Sequence, residues 1–373
     1  MHRCDVAIVG AGVAGLSLAW HLQRLGKRVI VLEKSARAEG ASTRNFGMVW
    51  VVGQADIELE NLAIRSRDLW STVADELGFW IRQVGSLHLA YEPEEVQVLK
   101  EFLELTENRH GRRILNPSET MENCAQVRRE GLLASLYSPT EAAVDPREVV
   151  HSASTALIEK GVEIRFDSHV TKIESDRLIL ADETSLDAEK IVVCPGPDLF
   201  SIYPDACRRS GLTESHLQML RLRPKAGVSP IGIHLCAGLT LGHYANFRNC
   251  PSIREVIELH HRKWPTQVQH GIHVLVAEHP DGTITVGDSH SYGRNRPIYR
   301  EEAVDEAILQ GLDEFLPRDN YEITQRWIGT YNTHESLPYW TAEIGKNIWA
   351  MNLFGTGMTL SFAITERLSK QLG

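Results

Sequence analysis

Nowhere do the 373 residues hold an uninterrupted apolar run of the roughly 20 that a membrane-spanning helix needs. Cysteine is scarce: Cys4, Cys124, Cys194, Cys207, Cys236 and Cys250 form no C-x-x-C pair. That spread predicts buried, reduced thiols in a cytoplasmic protein. Positive charge is in deficit, with 39 Lys+Arg against 49 Asp+Glu and a formal net charge of −10. Such a balance repels phosphate backbones and anionic lipid, which argues against nucleic acid and membrane as partners. A nucleophile-elbow motif and an H-E-x-x-H pair are both missing. His260-His261 and His270-x-x-His273 are the close histidine pairs, and neither lies among cysteines. His270 and His273 flank a strand start, so their rings need not converge, and no metal is expected. Asp5 already opens a strand-like run, so the first residues do not read as a signal peptide. What is present, 43% apolar and 24% charged residues, describes an ordinary globular chain of two or three domains with a large core.

The first forty residues carry the sharpest pattern. Asp5-Val-Ala-Ile-Val-Gly10 predicts a short strand buried on both faces. Gly10, Gly12 and Gly15 follow in G-x-G-x-x-G spacing, then a helix from Val13 to about Leu25, then a second strand, Arg28–Leu32. Gly10 allows the tight turn, Gly12 lets backbone N–H groups approach a pyrophosphate, and Gly15 lets helix and strand pack closely. Val13 and Ala14 open the helix, whose free N–H groups and partial positive charge suit a phosphate. Glu33 ends the second strand, where a carboxylate can accept from a ribose diol, with Lys34 beside it. This order of strand, turn, helix, strand and acid predicts a dinucleotide site, without distinguishing NAD from FAD.

Three further glycine turns favour FAD. Gly40–Gly47 is hydroxyl-rich and carries one cation, so Ser42, Thr43, Arg44, Asn45 and Gly47 are expected along a pyrophosphate and an isoalloxazine edge. Ile191-Val-Val-Cys194-Pro-Gly196 reads as a buried strand ending in a tight turn. The predicted strand Asn347–Asn352 runs into Phe354-Gly-Thr-Gly-Met-Thr359, where Gly355, Gly357, Met358 and Thr359 open a last helix. A helix N-terminus there can stabilise negative charge on a reduced flavin. Val170, on a short predicted strand, offers backbone groups to an adenine.

With these blocks the sequence resembles the D-amino-acid oxidase and sarcosine oxidase superfamily of FAD-dependent amine oxidoreductases. The matching residues are the N-terminal fingerprint, Gly40-Ala-Ser-Thr-Arg44, Arg326-Trp-Ile-Gly329-Thr-Tyr331 and Gly355-Thr-Gly-Met-Thr359. More narrowly, His216–Arg221, Gly238–Tyr244, Gly271-Ile-His273 and Val286–Tyr292 resemble a subfamily linked with phosphonate catabolism. The resemblance implies oxidation of 2-aminoethylphosphonate or its N-methyl forms to an aldehyde plus ammonia or methylamine, with oxygen or another acceptor taking the electrons. Covalent relatives carry a flavin-linked Cys where this chain has Gly329, so FAD is expected to be non-covalent. They carry a carboxylate-binding Lys where Thr359 stands, and an oxygen-promoting Lys where Thr285 stands. Glycine, sarcosine or a D-amino acid is the alternative substrate, and a flavin component passing electrons to a partner the alternative role.

The fold expected is α/β: a Rossmann-like FAD-binding domain with an inserted, mostly antiparallel α+β substrate domain. The first is assigned to 1–85, 145–215 and 325–373, the second to 86–144 and 216–324. Strands are predicted at Leu217–Leu222, Ser229–Leu235, Ile272–Glu278 and Thr283–Gly287, with Asp281-Gly282 as a hairpin turn. A neutral amine gives hydride from its α-carbon to flavin N5, so the protein must position the carbon and hold the remote anion. Candidate substrate-binding residues are Arg221, His243, Tyr244 and Arg248. His290 at a strand end, Tyr331 as an aromatic wall and Thr359 are the candidate catalytic residues. The sequence leaves the oligomeric state open.

Overall fold

The computed structural model describes residues 3–373. Five parallel strands form the centre of an eight-stranded sheet, in the order Ile348–Asn352, Ser185–Val193, Arg3–Val9, Val29–Leu32, Glu163–Arg165. All four residues of Val29–Leu32 are buried, as are Val6 to Val9, which is the pattern of a parallel sheet covered on both faces. Helices Val13–Arg24, Ile57–Leu77, Pro146–Glu159 and Gly357–Leu372 bury Leu16, Trp70, Leu157 and Phe362 in one shared core. Asp56 caps the second of these by accepting from Leu59 N at 2.9 Å, and Gly78 ends it at φ +70°. The antiparallel strands Val170–Glu174 and Arg177–Leu180 extend the sheet.

A nine-stranded sheet, antiparallel apart from the pairing of His234–Cys236 with Ser86–Ala90, stands against the first. Its longest pairing joins Thr213–Pro224 to Tyr321–Thr333. Alternation along Thr213–Pro224 sends Leu220 and Leu222 into a core with Ile308 and Leu312 of the helix Glu302–Asp313, and Leu217 and Met219 toward the first sheet. The boundaries expected at 215/216 and 324/325 therefore fall inside strands of this second sheet. A three-stranded sheet of Met48–Val49, Ala142–Val144 and Ile81–Gln83 bridges the two. The Asp281-Gly282 turn forms, with Gly282 at φ +75° and Asp281 Oδ1 accepting from Thr283 N at 3.0 Å.

One expected strand is shorter than its sequence suggests. Of Ser229–Leu235, only His234 and Leu235 lie in the strand His234–Cys236. Upstream, the Glu278 carboxylate accepts from Ile231 N at 3.1 Å and Gly232 N at 2.8 Å, replacing ladder partners with a side chain. All six cysteines are buried and free, and no helix among the described residues is long and apolar enough to cross a membrane.

The approach of the first helix to the first strand depends on Gly15. A Cβ there would lie 2.0 Å from Gly10 O and 3.3 Å from Ile8 Cγ2. Gly15→Ala should cost about 1–3 kcal/mol, the range for overpacking, and lower the thermal midpoint by several degrees. Gly40→Ala, whose Cβ meets nothing within 4 Å, should leave the midpoint unchanged. Equal midpoints for the two variants in differential scanning fluorimetry would contradict the packing role of Gly15.

Candidate active site

A continuous cavity of about 970 Å³ runs between the two large sheets. At one end it is walled by Glu33, Lys34, Ser168 and Val170, at the other by His243, Tyr244, His273, His290 and Tyr331. Between them the helices beginning at Val13 and Gly357 both open onto it, with the position of a Gly357 Cβ 3.9 Å from Val13 Cγ1. Two helix N-termini thus point their free N–H groups and partial positive charge at the same space.

Most residues singled out for a cofactor line this cavity: Gly10, Gly12, Val13, Ala14, Glu33, Lys34, Ser42, Arg44, Asn45, Val170, Cys194, Gly196, Gly329, Gly355, Gly357, Met358 and Thr359. Gly10 sits at φ +105°, and a Cβ there would strike Cys194 O at 2.7 Å. Glu33 accepts from Ala11 N at 3.0 Å and Ser35 N at 3.1 Å, which fixes the glycine turn and leaves further lone pairs toward the cavity. Ser42 Oγ accepts from Val13 N at 3.0 Å. A Cβ on Gly329 would meet Arg44 O at 3.2 Å, so that strand lies tight against the loop from Gly40 to Gly47. Gly15, Thr43 and Gly47 do not face the cavity. Gly15 serves the helix–strand contact, Thr43 Oγ1 turns back to Gly40 O at 3.2 Å, and the Gly47 backbone packs on Val144 O and Pro146.

The far end is aromatic and imidazole-rich. The His243 and His273 rings stack at 3.6 Å with 11° between planes, and His290 lies 4.7 Å and 5.0 Å from them. Tyr244 meets His273 edge-on at 5.5 Å. Tyr331 Oη is 3.4 Å from His290 Nε2. Asp288 Oδ1 is 3.4 Å from His273 Nδ1 and 3.9 Å from His290 Nδ1, without a well-formed hydrogen bond to either. Burial holds all three imidazoles well below their usual range, His290 at about 4, and pushes the Asp288 carboxyl well above its own. Ring nitrogens of the three histidines lie within 4.8 Å of one another. His273 therefore converges with His243 and His290, contrary to the expectation from its spacing to His270. Parallel stacking of His243 on His273 aims their in-plane lone pairs side by side instead of at one point, which disfavours a shared ion.

Four Lys and Arg side chains line the cavity. Lys34 is paired with Asp198 at 2.6 Å, and Arg296 with Glu214 at 2.9 Å. Arg44 and Arg248 have no carboxylate partner among the described residues. Arg221 is not at the cavity. It follows Met219 on the same strand face but lies one pleat further along, only 4% exposed, donating to Thr283 Oγ1 at 3.4 Å and Thr285 Oγ1 at 3.1 Å. Burial lowers its pKa to about 10. Thr359 lines the cavity, but its Oγ1 accepts from Trp50 N at 2.9 Å, a backbone tie. Sequence reasoning misses His273 and Asp288 as site residues, although both stand in the sequence blocks around Gly271 and Gly287.

The profile of the family described as FAD dependent oxidoreductase matches residues 5–371. The chain belongs to that family. Its cofactor is FAD, and the two helix N-termini, the glycine turns and Glu33 along one elongated cavity fit such a dinucleotide. An opine oxidase subunit of Rhizobium meliloti is 29% identical over 188 residues, 47% of this chain and 50% of that protein. Mitochondrial dimethylglycine dehydrogenase of Rattus norvegicus is 29% identical over 177 residues, 46% of this chain and 20% of that protein. The chain thus spans half the length of the first and a fifth of the second. Glycine oxidase from Geobacillus kaustophilus superposes with a TM-score of 0.81 at 19% identity, covering 100% of this chain and 95% of its own. That likeness shows the shared fold.

The buried imidazoles make this FAD-family protein acid-sensitive. His88, His234 and His290 are held at about 3, 4 and 4 by burial, below the usual 6.5, so the unfolded chain takes up protons first. Asp288, with its pKa raised, acts in the opposite sense but is outnumbered. Their contribution is complete above pH 6.5 and is lost as pH falls toward 4. Urea midpoints should therefore drop across that window; a flat profile between pH 7 and 4.5 would contradict neutral buried histidines.

Proposed function

We propose that this chain oxidises a small primary or N-methylated amine bearing an anionic head, most favourably a 2-aminoethylphosphonate-type amine, to an aldehyde plus ammonia or methylamine. The observation that carries the reading is Arg248. It is an unpaired cation on the cavity wall, close enough to His243 to depress that imidazole further, beside an otherwise uncharged aromatic and imidazole surface. An anion on Arg248 would leave the other end of a two-carbon amine against His290 and Tyr331. A guanidinium fork suits a phosphonate through two parallel hydrogen bonds. FAD, when bound, supplies the two-electron acceptor. Of the chain's own groups, Tyr244 and Tyr331 exclude water from the reacting carbon, and burial favours the uncharged amine.

The phosphonate reading also draws on the blocks Gly238–Tyr244 and Val286–Tyr292, and on Thr359, which offers no cation to a carboxylate. A carboxylate head is the second reading. It is favoured by the names of the relatives, one of an opine oxidase and others of dimethylglycine and sarcosine dehydrogenases. Since the first of these is one component of a larger oxidase, it also supports a flavin component that hands electrons to a partner.

Anaerobic mixing with an amine panel separates these readings. 2-Aminoethylphosphonate or its N-methyl form should bleach the flavin faster than glycine, sarcosine or D-alanine; the reverse order would transfer the assignment to amino acids. Arg248→Ala should raise the KM for the phosphonate at least about tenfold, one lost charge-assisted contact. Arg221→Met should leave that KM within about twofold, since Arg221 lies outside the cavity.

A further inference from the structure

An amine of ordinary basicity enters as an ammonium, with a pKa of about 10 by analogy with lysine, and an ammonium has no lone pair to assist loss of hydride. Some group must take its proton. We propose that His290, with Asp288 as its counter-charge, is the acceptor of that proton. The inference rests on the amine-oxidation reading above and assigns the step that reading leaves open.

The hydrogen bonds of His290 orient the ring. Its Nδ1 lies 3.1 Å from Gly271 O. A carbonyl only accepts, so Nδ1 carries the hydrogen and Nε2 keeps the lone pair. Nε2 faces the Tyr331 hydroxyl at 3.4 Å, and both residues line the cavity. The ring is held by packing, its side chain 4% exposed, with His273 and His243 on one side and Tyr292 at 6.1 Å on the other. The titratable and charged groups around it are His243, His273, Tyr244, Tyr292, Tyr331, Asp288 and, beyond His243, Arg248. Asp288 is the sole carboxyl among them, 3.9 Å from His290 Nδ1, and its Oδ1 has no hydrogen-bond partner.

The step balances within the complex. One ammonium N–H bond breaks, its electron pair stays on the amine nitrogen, and the proton bonds to Nε2 of His290. Nothing is oxidised or reduced. Within the cluster burial disfavours the charged forms of the imidazoles and of Asp288 alike, with His290 held at about 4, so its Nε2 is free at neutral pH. An arriving cation lowers the carboxyl's affinity for its proton, which leaves to solvent, and the Asp288 carboxylate then stands beside the imidazolium that forms.

The test is the pH dependence of the limiting flavin-reduction rate, measured anaerobically with the flavin-loaded enzyme and whichever panel amine bleaches it. His290→Asn should slow reduction on the order of 10²-fold at pH 7 and recover most of that rate at pH 10, where the amine is already neutral. Added imidazole should partly rescue His290→Ala at pH 7. Asp288→Asn should shift the pH profile to higher pH without abolishing the high-pH plateau. A loss of equal size at every pH, or no loss, would overturn the assignment. So would removal of activity by EDTA and its return with zinc, which would make the cluster a metal centre. If His290→Asn fails to retain flavin, His290→Gln and the imidazole rescue carry the same comparison. Failure of every amine to bleach the unmodified enzyme would instead refute the amine-oxidation reading and is read separately.

Discussion

The cavity exists because a helix and a strand meet at almost no distance. Gly10 turns the chain at φ +105° and Gly15 brings the helix Val13–Arg24 against Gly10 O. A side chain at either position would lift the helix start away from the sheet. With that start fixed, Glu33 reaches Ala11 N and Ser42 reaches Val13 N, so the acid of the second strand and the hydroxyl loop are tied to the same turn. The N-terminus of Gly357–Leu372 adjoins it through the contact between Val13 and Gly357. The dipoles of two helices then add over one short stretch of cavity, a natural place for an anionic group.

The opposite end has a different logic. It contains three imidazoles, two phenols and one carboxyl, largely withdrawn from water, with one unpaired guanidinium beside them. Burial disfavours every charged form, which leaves a neutral surface that stacks and donates hydrogen bonds without competing for the ion on Arg248. It also makes the cluster responsive, because the first charge to enter changes the protonation of the rest. A substrate carrying both signs of charge suits such a surface better than a simple cation or anion.

Local, short-range constraints were legible in the chain. The strand–turn–helix–strand order to Glu33 and the Asp281-Gly282 turn both depend on neighbours within about twenty residues. The strand at Leu217–Leu222 was legible as well, but strand alternation tells which face a residue takes and not how far along the face the cavity extends. Arg221 shares its face with Leu217 and Met219 and still misses the cavity, by one pleat of roughly 6–7 Å. Ser229–Leu235 has strand composition, yet the Glu278 side chain, 46 residues away from Gly232, takes its N–H groups. His273 and Asp288 meet through the paired backbone of two segments 15 residues apart in sequence. Only the register that joins His273 N to Asp288 O and Asp288 N to His273 O brings them together.

The contrast between Arg221 and Arg248 then follows from solvation. A guanidinium shut into the sheet interface must satisfy its donors from the protein, and Arg221 does so with two threonine hydroxyls while its Nε goes unpaired. Its charge is balanced nearby, since Asp145 and Asp281 flank the same interface with Arg147 bound to both. Such a residue ties neighbouring strands of one sheet together and lies out of reach of a ligand in the cavity. Arg248 keeps its hydration in the absence of ligand, so no desolvation penalty has been met in advance. Its attraction for an anion appears only when the ligand displaces that water and the cavity closes around the pair. The strength of head-group recognition in this fold is therefore set less by how many cations the cavity borders than by which of them remain uncompensated when the amine arrives.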